Sequence, residues 1–306
     1  MLRIPENAIL EIKGKTKNGY VVPGDDKTIY FNFKDTQTVN EKGEIDPGGN
    51  KVGSNKTPGV GLANLVLTTY FFKLFENILA IPTHMIDSDL DNGIMHVKRA
   101  KLYGYGRRLP VLYLTGEELG NRIQNVSVDG LEVINRRMFT GSSLDFDDNL
   151  EDMMELKETS PSYVHFTIKN DHANDPRISR RQIVENGLML KPTIERIVVE
   201  SQAIETLVQT LAKWNGYKVV DFKTEHGVTK YNEHLLVDEF GTGTCRILGN
   251  NNSPKPFNKV EAFLGSEISD DVQNLRTEGL NKKVEAEIKK VKRLWNYGGA
   301  HYDKNK

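Results

Sequence analysis

Residues Val219 to Arg246, VVDFKTEHGVTKYNEHLLVDEFGTGTCR, alternate twice between apolar and charged positions, the pattern of two short strands. Lys218–Lys223 and Leu235–Phe240 are the two strands, and Glu225-His226-Gly227, with Lys230 and Asn232, forms the polar turn. Successive side chains on a strand face opposite ways, so Asp221, Lys223 and Glu225 share a face. If the hairpin pairs them, Asp238 sits beside Glu225 on that face. Three carboxylates and an ammonium crowd one another unless a cation or a phosphorylated group sits among them. Carboxylate pairs suit Mg²⁺, which is held by one or two carboxylates plus nucleotide phosphates. The alternative is a hairpin with an ordinary solvated face.

The chain has 306 residues, a net charge of −1 and 38% apolar residues, enough for one large or two medium domains. The near-zero balance gives no electrostatic argument for a nucleic-acid or anionic-membrane partner. No apolar run approaches the ~18 residues of a membrane span, and MLRIPENAILEIKGKTK lacks the apolar core of a secretory signal. The single cysteine, Cys245, excludes an internal disulfide and a thiolate zinc site. Together these predict a soluble, cytoplasmic protein that binds neither nucleic acid nor membrane.

Residues 7–35 predict a β-meander, with Lys15 and Lys17 in its first turn. Gly14-Lys15-Thr16 lacks the first glycine of a P-loop, and taken alone this is a solvated basic turn. A loop over 40–60 precedes a helix from Gly61 to Leu79, and Ile94–Ala100 is a strand. Residues 103–130 read as a surface hairpin or short helix, with a lid or oligomer contact as the sharper alternative. A strand at Tyr163–Ile168 runs into Lys169-Asn170-Asp171-His172-Ala173-Asn174-Asp175-Pro176, where Asp175 projects from a bend fixed by the proline. Residues 193–215 form the clearest helix, with Thr193 as its N-cap and Gly216 as its C-cap. A last charged helix covers Asp270 to Asn296.

Asp-Phe-Lys-x-Glu-x-Gly at 221–227, followed by Asp238-Glu239-Phe240 and Arg246, resembles the SAICAR synthetase family of purine-pathway ligases. Other motifs resemble the family in the same order. They are the Gly-Lys-x-Lys turn at 14–17, Phe33-Lys34-Asp35, Ile81-Pro82-Thr83, the strand around Lys98, and Glu132-x-x-x-Arg136 leading to Gly141-Ser142. Lys169-Asn170-Asp171 through Asp175-Pro176 completes the set, and the resemblance covers roughly residues 8 to 248.

The resemblance implies an α+β, two-lobed, kinase-like or ATP-grasp-like fold of antiparallel sheets flanked by helices. The implied division is an ATP-binding lobe at 1–99, a catalytic and acceptor lobe at 100–250, and a linker with a C-terminal helix at 251–306. It implies ATP and Mg²⁺ as cofactors, and carboxyaminoimidazole ribotide and L-aspartate as small-molecule substrates. A homo-oligomer is left open. By resemblance, Lys15, Lys17 and Lys98 serve the nucleotide, and Glu225 and Asp238 the Mg²⁺. Arg136, Ser142 and Arg246 would hold the ribotide, and Lys223, Asp221 and Asp175 carry the chemistry.

The chain departs from the family at three places. Gly241-Thr242-Gly243-Thr244-Cys245-Arg246 stands where the family has Ser-Pro-Asp-x-x-Arg, so an aspartate becomes Gly243. Val60-Gly61 replaces Lys-Gly, and 103–130 is an insertion. Two alternatives follow: a ligase for a different carboxylate or amine, or a nucleotide-binding protein that has lost activity.

Overall fold

The computed structural model describes residues 2–39, 51–113, 122–138, 158–173, 175–249 and 256–302. The chain forms two compact units. Met1–Arg99, Leu207–Val219 and Glu239–Lys306 make the first, and Ala100–Thr206 with Val220–Asp238 makes the second.

The first unit opens with the expected meander: β1 (Ile9–Lys13), β2 (Lys17–Val21) and β3 (Thr28–Phe33). Alternate residues of β3, Ile29, Phe31 and Phe33, are buried, as a half-buried strand requires. β4 (Thr36–Val39) and β5 (Lys51–Lys56) pair as a separate hairpin. Then come α1 (Val60–Ile78), β6 (Met85–Asp89) and β7 (Ile94–Lys98), and the sheet order is β1-β2-β3-β7-β6. Helix α1 is buried along nearly all its length. The Asp35 carboxylate accepts the Gly61 N–H at 2.9 Å, satisfying one of the helix's unpaired N-terminal donors.

The second unit holds β8 (Lys101–Leu102), β9 (Arg107–Tyr113), β10 (Arg122–Val128), β11 (Leu131–Met138), β12 (Glu158–Ile168) and β13 (Arg177–Ile178). α2 (Arg180–Glu185) starts on a capping box between Ser179 and Gln182. α3 (Lys191–Trp214) begins before Thr193, so that residue is not the N-cap; Gly216, at φ 77°, does turn the chain past the helix end. β14 (Lys218–Val228) and β15 (His234–Val237) follow, and the sheet runs β13-β12-β11-β14-β15, with β8 also paired to β14. The 103–130 segment is a hairpin of β9 and β10, and it is not merely superficial. Leu109, Val126 and Val128 join Val133, Phe166, Ile168, Ile183 and Ile197 in the core of this unit.

The chain then adds β16 (Cys245–Leu248), α4 (Pro256–Leu264), α5 (Ser266–Gln273) and α6 (Leu280–Tyr302) to the first unit. All three helices pack on α1, and Phe71 meets Phe240 and Phe263 edge-on at 4.8 Å. The single terminal helix expected over 270–296 is two helices, because Leu275 (φ 54°) and Gly279 (φ 75°) reverse the chain between them.

Candidate active site

β14 is longer than the sequence pattern suggests. It continues to Val228, so Glu225, His226 and Gly227 lie within the strand, and the turn falls at 229–233. β14 pairs with β11 so that Glu225 faces Glu132, Lys223 faces Ile134 and Asp221 faces Arg136. β12 on the other side of β11 sets Thr167 opposite Glu132 and His165 opposite Ile134. Alternation then puts Asp221, Lys223, Glu225, Glu132, Arg136, His165 and Thr167 on one face. The opposite face belongs to α3, where Asn135 donates to the Ser201 carbonyl and hydroxyl oxygens, each at 3.1 Å.

The charged face is a closed network. Lys169 Nζ donates to Glu225 Oε1 at 2.6 Å, and Lys223 Nζ donates to Glu132 Oε1 at 2.6 Å while lying 3.6 Å from Glu225 Oε1. The Thr167 hydroxyl donates to the second Glu132 oxygen at 3.0 Å. Burial opposes the Lys223 ammonium, but Glu132, Glu225 and Asp238 override it and hold its pKa well above the ordinary lysine value. Lys169 is raised in the same way, by Glu225 and Asp238 against burial. Burial would raise Glu132, yet Lys223 keeps it low. Glu225 goes the other way: burial first, then the neighbouring Asp238 and Glu132 charges, raise it despite both lysines.

Asp238 is not paired across from Glu225. Val237 takes that position, and Asp238 follows the end of β15 with φ 67°. A left-handed aspartate costs on the order of 1–3 kcal/mol, which the surrounding fold must hold in place. Asp238 still acts on Glu225, Lys223 and Lys169 through its charge.

Further along the same face, Arg136 and Asp221 form a buried ion pair at 3.5 Å. Burial, then the charges of Arg177 and Arg136, push His165 down to about 3, so it is neutral at pH 7. Asp175 does not project as expected. Its carboxylate accepts the Asn170 N–H at 2.8 Å, closing its own bend at φ 46°. Asn170 in turn donates to the Ser127 carbonyl and hydroxyl oxygens at 2.8 Å. Ser142 lies outside the described residues.

The remaining sequence candidates belong to the first unit. Lys17 starts β2 rather than lying in the turn. It is buried, donates to Glu239 Oε2 at 2.6 Å, and lies 5.5 and 5.7 Å from the Phe31 and Phe33 ring centroids. The Thr16 hydroxyl holds the same carboxylate oxygen at 3.1 Å. Lys15 sits in the β1–β2 turn, where its carbonyl accepts the Thr36 hydroxyl at 2.6 Å. Lys98 ends β7, half-buried, with its N–H on the His84 carbonyl at 2.7 Å, and Arg246 lies half-buried in β16. Lys34 donates to the Gly14 carbonyl beside this turn, and burial together with Lys13 and Lys56 lowers its pKa.

The segment that departs from the family pattern is firmly built. A Cβ on Gly241 would fall 1.9 Å from Asn64 Oδ1, the atom that accepts the Thr242 N–H at 3.1 Å. Gly241 N–H donates to the Thr244 hydroxyl at 2.8 Å, and buried Lys259 donates to the Thr242 carbonyl. Gly243 differs, because a Cβ there meets only Glu239 Oε1, at 3.9 Å.

Sequence reasoning missed Glu132, Thr167, His165, Lys169 and Arg177 as parts of this face. Glu132 and Lys169 stood inside quoted motifs, but only strand register reveals what they touch.

Buried lysines set among oxygen-only carboxylates are the equipment of proteins that neutralise phosphoryl and carboxylate charge. The family model for SAICAR synthetase matches residues 10–263. The phosphoribosylaminoimidazole-succinocarboxamide synthase of Clostridium tetani is 30% identical over 237 residues, covering 76% of this chain and 89% of that protein. The crystal structure of the synthase from Ehrlichia chaffeensis aligns with a TM-score of 0.62 at 20% identity, covering 89% of this chain and 98% of that one. A SAICAR synthetase solved in complex with ADP aligns at 0.61 and 23% identity, covering 86% and 94%. These structures show a common α+β fold. The chain belongs to the SAICAR synthetase family.

Proposed function

We propose that this chain joins carboxyaminoimidazole ribotide to L-aspartate at the expense of ATP, forming the succinocarboxamide of the purine pathway. The observation that carries the reading is the buried Glu132–Lys223–Glu225–Lys169 network, with Asp238 beside it, in a chain matched over most of its length by this family. The ADP complex of a structural neighbour supports ATP as the phosphoryl donor.

The reaction has two displacements. A ribotide carboxylate oxygen bonds to the γ-phosphorus, the bond to the β–γ bridging oxygen breaks, and ADP leaves. The aspartate nitrogen then bonds to the acyl carbon, the bond from that carbon to the phosphate oxygen breaks, and phosphate departs with that oxygen while the nitrogen sheds a proton. Positioning and charge neutralisation do most of the work in phosphoryl transfer.

Lys15, Lys17 and Lys98 would bind the nucleotide, with the Lys17–Glu239 pair fixing the Lys17 ammonium. Lys223 neutralises charge gathering on the transferring group. Arg136, Ser142 and Arg246 grip the ribotide, and the neutral His165 and Arg177 beside Arg136 extend that surface. Asp221 orients the amine or the imidazole; Asp175 serves through the bend it closes.

Glu225 and Asp238 fit a Mg²⁺ ion. Both offer oxygen, and Lys169 and Lys223 approach Glu225 through Oε1. The raised Glu225 carboxyl marks a place where added positive charge is favourable. When bound, Mg²⁺ would supply neutralising charge at the nucleotide phosphates.

A second reading, a ligase for another carboxylate or amine, is favoured by the open space at Gly243. ADP release with Mg²⁺-ATP, with product mass, tests both. Release that needs both ribotide and aspartate, with a succinocarboxamide product, supports the first. Release with other acid–amine pairs only supports the second, and nucleotide binding without release under any pair leaves a binding protein.

A further inference from the structure

The face of the second unit's sheet turned toward α3 carries a cluster that the ligase reading does not use. Glu200 on α3, His226 on β14 and His234 on β15 each offer one ligand atom, all within 4.8 Å of one another. His234 Nε2 lies 3.1 Å from Glu200 Oε2, and His226 Nδ1 lies 3.8 Å from the same oxygen. The two rings are diagonal neighbours across the β14–β15 ladder, nearly parallel at 23°, with centroids 5.3 Å apart.

The far side of each ligand is already held. The Tyr103 hydroxyl bonds His234 Nδ1 at 3.0 Å, and the Thr224 hydroxyl bonds His226 Nε2 at 3.3 Å. Arg196 Nε donates to Glu200 Oε1 at 2.7 Å, which leaves Oε2 to face the rings. Outer partners on the remote nitrogen fix the tautomer and aim of metal-binding histidines in this way. The independent sign is His226 Nδ1: its side chain is 1% exposed, and this atom is buried with no hydrogen-bond partner among the described residues. An orphaned buried ring nitrogen is costly unless something occupies the space before it.

We propose that Glu200, His226 and His234 form a structural site for a transition-metal dication of the zinc class, with water as fourth ligand. Imidazole donors favour zinc, nickel or copper over Mg²⁺. Zinc bonds of about 2.0–2.2 Å in a tetrahedron set ligand atoms roughly 3.3–3.5 Å apart, between the two separations found here. The ion would tie α3 to the β14–β15 hairpin, one residue from Glu225 and on the opposite face of the sheet.

The test uses the full chain, stripped with EDTA, then titrated with ZnCl₂ by calorimetry and with CoCl₂ by visible absorption. One equivalent of zinc, a tetrahedral Co²⁺ spectrum and a raised melting temperature are expected. His234→Ala and Glu200→Gln should abolish the tetrahedral spectrum, and Tyr103→Phe should weaken binding about tenfold. Glu225→Ala should leave zinc binding unchanged, which separates this site from the proposed Mg²⁺ carboxylates. The His234 side chain is 8% exposed, so circular dichroism of the metal-free variant checks that the fold survives its replacement; should it not, Tyr103→Phe decides. No zinc uptake, an octahedral Co²⁺ spectrum, or uptake that survives the ligand substitutions would overturn the proposal.

Discussion

At the scale of single residues, two glycines two positions apart, Gly241 and Gly243, carry opposite expectations. Gly241 has no room for a side chain, because Asn64 Oδ1 stands 1.9 Å from where its Cβ would be. Gly241→Ala should cost about 1–3 kcal/mol through overpacking and loss of the Asn64–Thr242 hydrogen bond, read as a lower urea midpoint. Gly243→Ala should change the unfolding free energy by no more than about 0.5 kcal/mol. Equal destabilisation by the two would show that the segment is not built as described. The charged face gives a second expectation. Glu225→Ala or Asp238→Ala should abolish ATP turnover while the protein still folds, and undiminished turnover would remove the metal assignment.

At the scale of elements, the β9–β10 hairpin is the informative case. Its Leu109, Val126 and Val128 lie in the unit's core, so replacing residues 107–128 by a short turn should lower the melting temperature markedly. A purely superficial insertion would come out without loss, and an unchanged melting curve would return the hairpin to that status. The capping box at α2 should be worth about 1 kcal/mol, measured as the difference in urea midpoint for Ser179→Ala. The elements also show what sequence can and cannot convey. Alternation along β14 placed Asp221, Lys223 and Glu225 together because the period of a strand is local information. The partners of those residues were hidden, because Glu132 reaches Lys223 only through the β11–β14 register, 91 residues away. Asp238 was misplaced by one position for the same reason, since its backbone turns left-handed where β15 ends. The terminal helix was read as continuous because charged α5 and α6 keep similar apolar spacing, and a positive φ at Leu275 has no signature in composition.

At the scale of the whole molecule, acid stability follows from the buried histidines. His165 falls from 6.5 to about 3 on folding, chiefly through burial and then through Arg177 and Arg136. His226, also near 3 in the metal-free chain, acts in the same direction. The unfolded chain therefore binds more protons than the folded one between pH 6.5 and 3, so stability falls as pH drops through that window. The slope is about 1.4 kcal/mol per pH unit for each such histidine where the difference is full. His165→Gln should flatten the decline between pH 6 and about 4 in urea titrations. A variant as acid-sensitive as the parent would contradict a buried neutral His165.

The sequence also holds most of the whole-molecule reading in another sense: ordered motifs from Gly14 to Arg246 pointed to the family, whereas the pairing of Lys17 with Glu239, 222 residues apart, did not show in them. The most direct test of the activity follows an oxygen atom. Ribotide labelled with ¹⁸O in its carboxylate is incubated with the protein, Mg²⁺-ATP and L-aspartate, and the released phosphate is analysed by mass. Ligation through an acyl phosphate predicts one ¹⁸O per phosphate, formed in step with the succinocarboxamide. Unlabelled phosphate, or ADP formed without the amide, would contradict it.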